Sequence, residues 1–253
     1  MKKADKILFL SMAVVLLSVA IYGFLLYKGI LFLNNPSLAE FPVRGVDVSS
    51  YQGEINWELL ASQNIQFAFI KATEGSSHVD SRFAENYSRA AETDLRIGAY
   101  HFFSYDSRGS TQADNFISVV YPIEGMLPPV VDVEFYGDKE KNLPDQETTQ
   151  VELSVLLLAL EDYYGIKPII YVTEKSHRIF ISGSFDDYDI WIRSVFSKPA
   201  CELGSNWTFW QYADRAQLEG YSGEERFIDM NIFHGTEEEF QLYSFVSSNR
   251  ISN

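Results

Sequence analysis

The sequence predicts an α/β domain, a barrel of mostly parallel strands with an irregular last third, behind one amino-terminal membrane helix. Three observations carry this reading. Ile7 to Tyr27 forms a run of 21 residues without a charge. Beyond Pro42, short runs rich in Val, Ile, Phe and Tyr alternate with helical patterns, as right-handed βαβ units and a parallel sheet require. After the sixth run the helical patterns stop, and the loops hold Gly, Ser and Pro.

Taken in order, residues 1–6 form a short amino-terminal segment and residues 7–27 a transmembrane anchor. At about 1.5 Å per residue, roughly 20 residues cross a hydrocarbon core of about 30 Å. Lys2, Lys3 and Lys6 precede the run and Lys28 closes it, so the positive-inside rule puts the amino terminus in the cytoplasm and the rest outside. The alternative is a cleaved signal peptide, with Ser18-Val19-Ala20 as the cleavage site. The apolar run, however, outlasts a signal h-region of about 7–15 residues. Residues 28–42, including NNPSLAEFP, read as a linker.

Within 43–240, strands are predicted at Gly45–Val48, Phe67–Ala72, Ile97–Phe102, Val130–Glu134 and Ile169–Val172. Three more follow at Ile190–Arg193, Thr208–Tyr212 and Phe227–Ile232. Helices are predicted at Trp57–Gln63, Ser81–Thr93, Thr111–Val120, Gln146–Tyr164 and Glu174–Ile181. The fourth is the firmest: Asp145 can cap it, and Val151, Val155, Leu158 and Tyr163 follow a helical period. Residues 241–253 form a tail.

Charge limits the partners. The 253 residues carry a net −15. Residues 1–40 hold four lysines against Asp5 and Glu40, so the remainder carries −17. No basic cluster is present for phosphate binding, which excludes nucleic acid as a partner. The one cysteine, Cys201, excludes an internal disulfide and a multi-cysteine metal site.

Chemistry in such a barrel gathers at the C-terminal ends of strands, where polar residues should break apolar runs. Asp132 and Glu134 do so in PPVVDVEF. Spaced by two on a strand, they share a face, while Val131 and Val133 share the other. Two carboxyls buried together raise the pKa of one of them, leaving a protonated acid near neutrality. Asp47 and Asp229 would bring the count at one barrel mouth to four. So many acids without a cofactor suggest glycoside hydrolysis. Carboxylates holding Ca²⁺ or Mg²⁺ are the alternative, but no loop shows ligands at regular spacing. Tyr100, Tyr171, Trp191, Trp210 and Tyr212 lie in or at the ends of predicted strands, where rings stack on sugars or pack the core. His101 reads as a satisfied buried residue, and Lys71 with Glu74 as a pair closing the mouth or lying on the surface.

Seven segments in one order extend this reading: GVDVSSYQG (45–53), FAFIKATEG (67–75), IGAYHFF (97–103), PPVVDVEF (128–135), IIYVT (169–173), FWQYA (209–213) and IDMNIFHG (228–235). Together the string resembles the family-25 glycoside hydrolases, the lysozymes or N-acetylmuramidases of bacteria, fungi and phages. The resemblance implies an irregular TIM-like (β/α)5(β)3 barrel that cleaves the β-1,4 bond between N-acetylmuramic acid and N-acetylglucosamine in peptidoglycan. Position by position, Glu134 resembles the family's general acid, and Asp132 the carboxylate two residues before it. Asp47 and Asp229 match two further acids of the cleft, and Tyr100, Tyr171 and Trp210 match aromatics that line it. The sixth strand departs, reading IWIRSVF where the family commonly has WIARY.

Cα atoms of Asp132 and Glu134 should lie about 6.6 Å apart on one strand, which leaves retaining and inverting hydrolysis both open. One version has the substrate's own N-acetyl oxygen attack, with Asp132 stabilising the ring and Glu134 protonating the leaving oxygen. Two rivals differ in kind. A family-18 chitinase uses D-x-D-x-E, but Val130 stands where the first Asp belongs. A catalytically silent, membrane-tethered glycan-binding module would keep the cleft without the chemistry.

Overall fold

The computed structural model describes residues 3–199 and 207–243; Cys201 and residues 244–253 of the tail lie outside the described residues. Helix α1 (Lys3–Tyr27) leads, followed by β1 (Arg44–Val48), a 3-10 turn at Ser50–Gln52, α2 (Trp57–Ala61), β2 (Phe67–Glu74) and β3 (His78–Val79). Next come α3 (Phe83–Ala90), β4 (Arg96–Phe102), α4 (Gly109–Val119), β5 (Val130–Val133), α5 (Gln146–Tyr164), β6 (Ile169–Thr173) and α6 (Glu174–Ser176). The chain ends through β7 (Ile190–Arg193), β8 (Trp207–Ala216), β9 (Ile228–Phe233) and α7 (Glu237–Leu242).

Eight strands close into a barrel in the order β1-β2-β4-β5-β6-β7-β8-β9, with β1 pairing β2 to complete the ring. Neighbours from β1 round to β8 are parallel, while β9 runs antiparallel to both β8 and β1. The irregular last third follows from this reversal: a strand returning antiparallel needs no crossover helix. The short β3 folds back antiparallel on β2 at the barrel rim.

Alternation along each strand separates two apolar layers. Val46, Ala68, Ile70, Ile97, Val131, Val133, Ile170, Ile192 and Ile232 face outward to the helices. Phe67, Phe69, Val130, Ile169, Trp191, Phe209 and Phe233 fill the interior. Rings take so much of that interior that two neighbouring strands must supply glycine. A Cβ at Gly45 would come within 2.4 Å of the Phe67 ring, and one at Gly98 within 2.7 Å of Phe69. Phe209 is the hub, with centroids 5.3 Å from both Phe67 and Phe69 and 5.4 Å from Phe233. Phe209→Ala should therefore cost about 3–5 kcal/mol, read as a lower denaturation midpoint at unchanged slope.

Several expectations are corrected here. Among the described residues, helix does not end with the sixth strand: α7 follows β9, capped by Thr236, and inserts Phe240 into the bottom of the interior. Arg96 holds it there, donating to the carbonyls of Phe240 and Tyr243. Helix α5 is capped by Asp145 as expected and ends on the left-handed Gly165. Its buried stripe, however, is Leu153, Leu156, Leu157, Leu160 and Tyr164, while Val151, Val155, Leu158 and Tyr163 are exposed. Both faces of α5 are apolar, and periodicity cannot say which one meets the sheet. The predicted helix at 174–181 is one α turn followed by a π turn.

The segment read as a linker lies against the barrel. Asn34 donates to the carbonyls of Ser194 and Ser197 at 3.0 Å each. Phe41 is buried against Trp207 and Trp210.

Candidate active site

At the C-terminal end of the parallel strands, the layer above the aromatic interior turns polar. The barrel strands offer inward positions at that height, which strand alternation selects from the sequence. Pairing puts Asp47 opposite Asp229, Asp132 opposite Tyr171, Tyr171 opposite Trp191, Arg193 opposite Gln211, and Gln211 opposite Asn231. Because β9 is antiparallel, Asp229 reaches this level from the start of its strand, whereas the others sit near the ends of theirs. The cleft they form measures about 340 Å³ and is walled on the rim by Tyr51, Gln52, Lys71, Phe102, Asp214 and Phe227.

Two pairs of acids meet in it, and they are held differently. Asp47 Oδ2 accepts from Gln211 Nε2 at 2.9 Å and from Asn231 Nδ2 at 2.8 Å, and Gln211 Nε2 also reaches Asp229 Oδ2 at 3.2 Å. The amide orientations are fixed from behind. Tyr171 Oη donates to Gln211 Oε1 at 3.0 Å, and Trp191 Nε1 donates to Asn231 Oδ1 at 2.8 Å. An indole N–H can only donate, so Asn231 must turn its amide hydrogens toward the acids. Burial raises the pKa of both acids, Asp229 further because the charge of Asp47 lies beside it; hydrogen bonds from Asn231 and Gln211 oppose the rise at Asp47. The two acids thus form one braced floor.

Asp132 and Glu134 have no such support: among the described residues neither side chain accepts a hydrogen bond, and Asp132 Oδ1 is buried without a partner. Both project inward, with Val131 and Val133 packed outward. Asp132 is 7% exposed and Glu134 half-buried just beyond the strand end. Burial pushes the Asp132 carboxyl well above the usual range, and the neighbouring Glu134 charge adds to it. Glu134 is raised too, chiefly by burial, against the pull of Arg193 and Lys71. Arg193 is itself held 2.7 Å from Asp214, and Lys71 lies 2.9 Å from Glu74. Removing the guanidinium in Arg193→Gln should therefore raise the Glu134 pKa further. The alkaline limb of the activity profile should move to higher pH, checked by rates across a pH series.

The aromatic residues divide. Tyr100 lines the cleft among Asp47, Asp132 and Asp229, and burial together with their charges keeps its phenol protonated. Tyr171 and Trp191 also line it, but their polar tips are engaged within the floor rather than free for a ligand. Trp191 stacks on Phe69 at 4.6 Å. Trp210 and Tyr212 are corrections: both belong to the outer layer. Trp210 Nε1 donates to the Ser194 carbonyl, and Arg44 donates to the Tyr212 hydroxyl. Phe209 and Gln211 take the inward positions of β8, so alternation sends the residues between and after them outside. His101 is fully buried outside the barrel wall, bonded to Thr73 and Gln112.

Gln211, Asn231, Arg193 and Asp214 complete the site and were not anticipated. Gln211 stands alone between two rings in FWQYA, a polar break of the kind that marked Asp47; a search confined to acids passes over an amide. Among the described residues, no three His, Cys, Asp or Glu side chains come together in an arrangement that could hold a metal ion.

Comparison with known proteins places this geometry. A profile of the glycosyl hydrolases family 25 matches residues 46–221. YegX of Escherichia coli O157:H7 is 35% identical over 210 residues, covering 81% of this chain and 74% of that protein. Lysozyme M1 of Streptomyces globisporus is 32% identical over 215 residues, covering 77% and 68%. Among solved structures, a family 25 glycosyl hydrolase from Bacillus anthracis superposes with a TM-score of 0.78 at 49% identity, covering 83% of this chain and 96% of that one.

Proposed function

The chain belongs to family 25 of the glycosyl hydrolases, and from that premise we propose how its cleft divides the work of cutting peptidoglycan. The enzyme is a lysozyme-type glycosidase, and its substrate is the peptidoglycan glycan strand. Glu134 acts as general acid and then general base. Asp132 stabilises the ring as charge develops at the anomeric carbon. Asp47 and Asp229 hold the floor on which the sugar rests, and Tyr100 donates a hydrogen bond into the cleft. The observation that carries this assignment is the contrast between the two acid pairs. Asp47 and Asp229 are tied by Gln211 and Asn231, whereas among the described residues neither the Asp132 nor the Glu134 side chain accepts a hydrogen bond.

Asp132 and Glu134 come from one strand and approach the sugar from one side. The nucleophile on the opposite face is then the substrate's own N-acetyl oxygen. Its attack breaks the glycosidic bond as Glu134 protonates the leaving oxygen, and water activated by Glu134 opens the resulting ring. This sequence predicts net retention at the anomeric carbon and fragments ending in reducing N-acetylmuramic acid. NMR of the first products reads the configuration, and mass spectrometry reads the end group. An inverted product removes the N-acetyl participation; fragments ending in reducing N-acetylglucosamine remove the muramidase assignment.

Residues 7–27 serve as the anchor, with 1–6 in the cytoplasm, 28–42 joining it to a catalytic barrel at 43–240, and 241–253 as a tail. Support comes from the helix Ala4–Tyr27, whose mean hydropathy is 2.5 and whose residues before Leu25 are exposed. Retention of the intact amino terminus in carbonate-washed membranes is the expected result; a soluble product beginning near Ile21 would mean a cleaved signal.

A further inference from the structure

The end of α1 meets the barrel directly, and at the catalytic end. A free linker of 15 residues, 28–42, could reach about 50 Å. Instead Arg215 Nη2 donates to the Tyr27 carbonyl at 2.8 Å, and Gln217 donates to the carbonyl of Lys28. The Arg215 guanidinium lies 5.1 Å from the Tyr27 ring and 4.4 Å from the Phe227 ring. Gly29 turns with φ +67° so close to β8 that a Cβ would meet the Arg215 carbonyl oxygen at 1.8 Å. Arg215 closes the C-terminal half of β8, the end at which the cleft opens. Phe227 belongs to the cleft rim, and Asp214 lines both the cleft and an apolar groove of about 400 Å³ beside α1.

That groove is walled by Leu26, Tyr27, Leu31, Phe32, Val195 and Phe196. Its outer edge is apolar and open to solvent: Leu31 and Leu33 are exposed, and Phe196 is 78% exposed. Isolated surface apolar residues need no explanation, but these continue the lipid-facing surface of a span that ends at Tyr27. Lys28 ends α1 with its ammonium 5.7 Å from the Phe24 ring, and Arg215 and Arg226 lie 4.4 and 4.7 Å from the Phe227 ring, basic groups suited to anionic headgroups beside the acids Asp214 and Glu225 of the cleft.

We propose that Leu31, Leu33 and Phe196 enter the interfacial layer of an anionic phospholipid bilayer, seating the rim of the cleft on the membrane surface. The proposal rests on the anchor reading of α1. A cleft seated there meets the glycan strands at the membrane face of the wall first, and the barrel does not sweep the radius of a free tether.

The test uses the full chain in vesicles of phosphatidylcholine and phosphatidylglycerol, in a Cys201→Ser background. Single cysteines at Leu16, Leu33, Phe196 or Tyr121 carry an environment-sensitive fluorophore, and nitroxide lipids quench it by depth. Leu16 reports the span, and Tyr121 is an exposed residue after α4 at the far end of the barrel. Interfacial side chains lie about 5–10 Å into the headgroup boundary, so labels at 16, 33 and 196 should be quenched several-fold more than the label at 121. Quenching at 16, with 33 and 196 matching 121, overturns the seating and leaves the anchor standing. No quenching at 16 overturns the anchor and the seating with it.

Discussion

Glu134→Gln is expected to lower turnover of purified peptidoglycan by about 10²–10⁴-fold, the usual contribution of a general acid–base group, while sedimentation with the insoluble wall stays unchanged. The amide fills the same volume, so the cleft keeps its shape, but it can neither deliver a proton to the leaving oxygen nor take one from water. The carboxyl it replaces is half-buried, is raised by that burial, and accepts no hydrogen bond among the described residues, which suits a group that must hold and pass on a proton. Release of soluble fragments, measured at saturating and at limiting substrate, is the test. Normal release by the variant would remove Glu134 from the reaction. Loss of wall binding in parallel would instead mean that the residue holds substrate.

Asp132→Asn is expected to do something less usual: abolish most activity and raise stability at neutral pH. The Asp132 carboxyl is buried, unpartnered at Oδ1 and held well above the ordinary carboxylate range, first by burial and next by the charge of Glu134. A carboxyl whose folded pKa exceeds its unfolded value of about 3.9 contributes full stability below that value and loses it as pH rises through the folded pKa. Asparagine has no charge to bury, so the penalty disappears at pH 7 and the difference between the proteins closes toward pH 4. Each pH unit by which the folded pKa exceeds the unfolded one is worth about 1.4 kcal/mol at neutral pH, and each kcal/mol moves the melting temperature by about 2–4 °C for a domain of this size. Melting curves at pH 7 and pH 4 read the effect. A variant that is destabilised at pH 7, or stabilised equally at both, would show that Asp132 is not a strained acid in the folded protein. The site would then have been built at no cost in stability, contrary to the usual trade between activity and fold.

The order of strands was legible because each barrel strand is a short apolar run broken by a polar residue at the mouth. Asp47, Asp132 and Asp229 were found by that break, and all three meet in one cleft with Glu134. Legibility failed where two faces of one element look alike. In β8, Trp210 and Tyr212 flank Gln211, and all three are buried; only the register against β7 and β9 sends the rings outward and the amide in. In α5, two apolar stripes compete, and the sheet takes the leucine face. Pattern reading sees hydrophobicity, not which neighbour occupies each side. It also gave residues 28–42 no partner, since their contacts are with residues far along the chain: Asn34 with the carbonyls of Ser194 and Ser197, and Phe41 with Trp207 and Trp210.

Residue type and spacing along the chain are enough to give the class of fold, the family, the four acids and the apolar span. Which acids are braced depends on the tertiary structure, since Gln211 and Asn231 reach Asp47 and Asp229 from β8 and β9 and are themselves held by Tyr171 and Trp191 from β6 and β7. Tertiary structure decided as well that α1 ends against the rim of the cleft. Hydrogen bonds join residues as far as 190 positions apart, Val43 and Phe233, and such pairings are set by barrel closure, which no local pattern records.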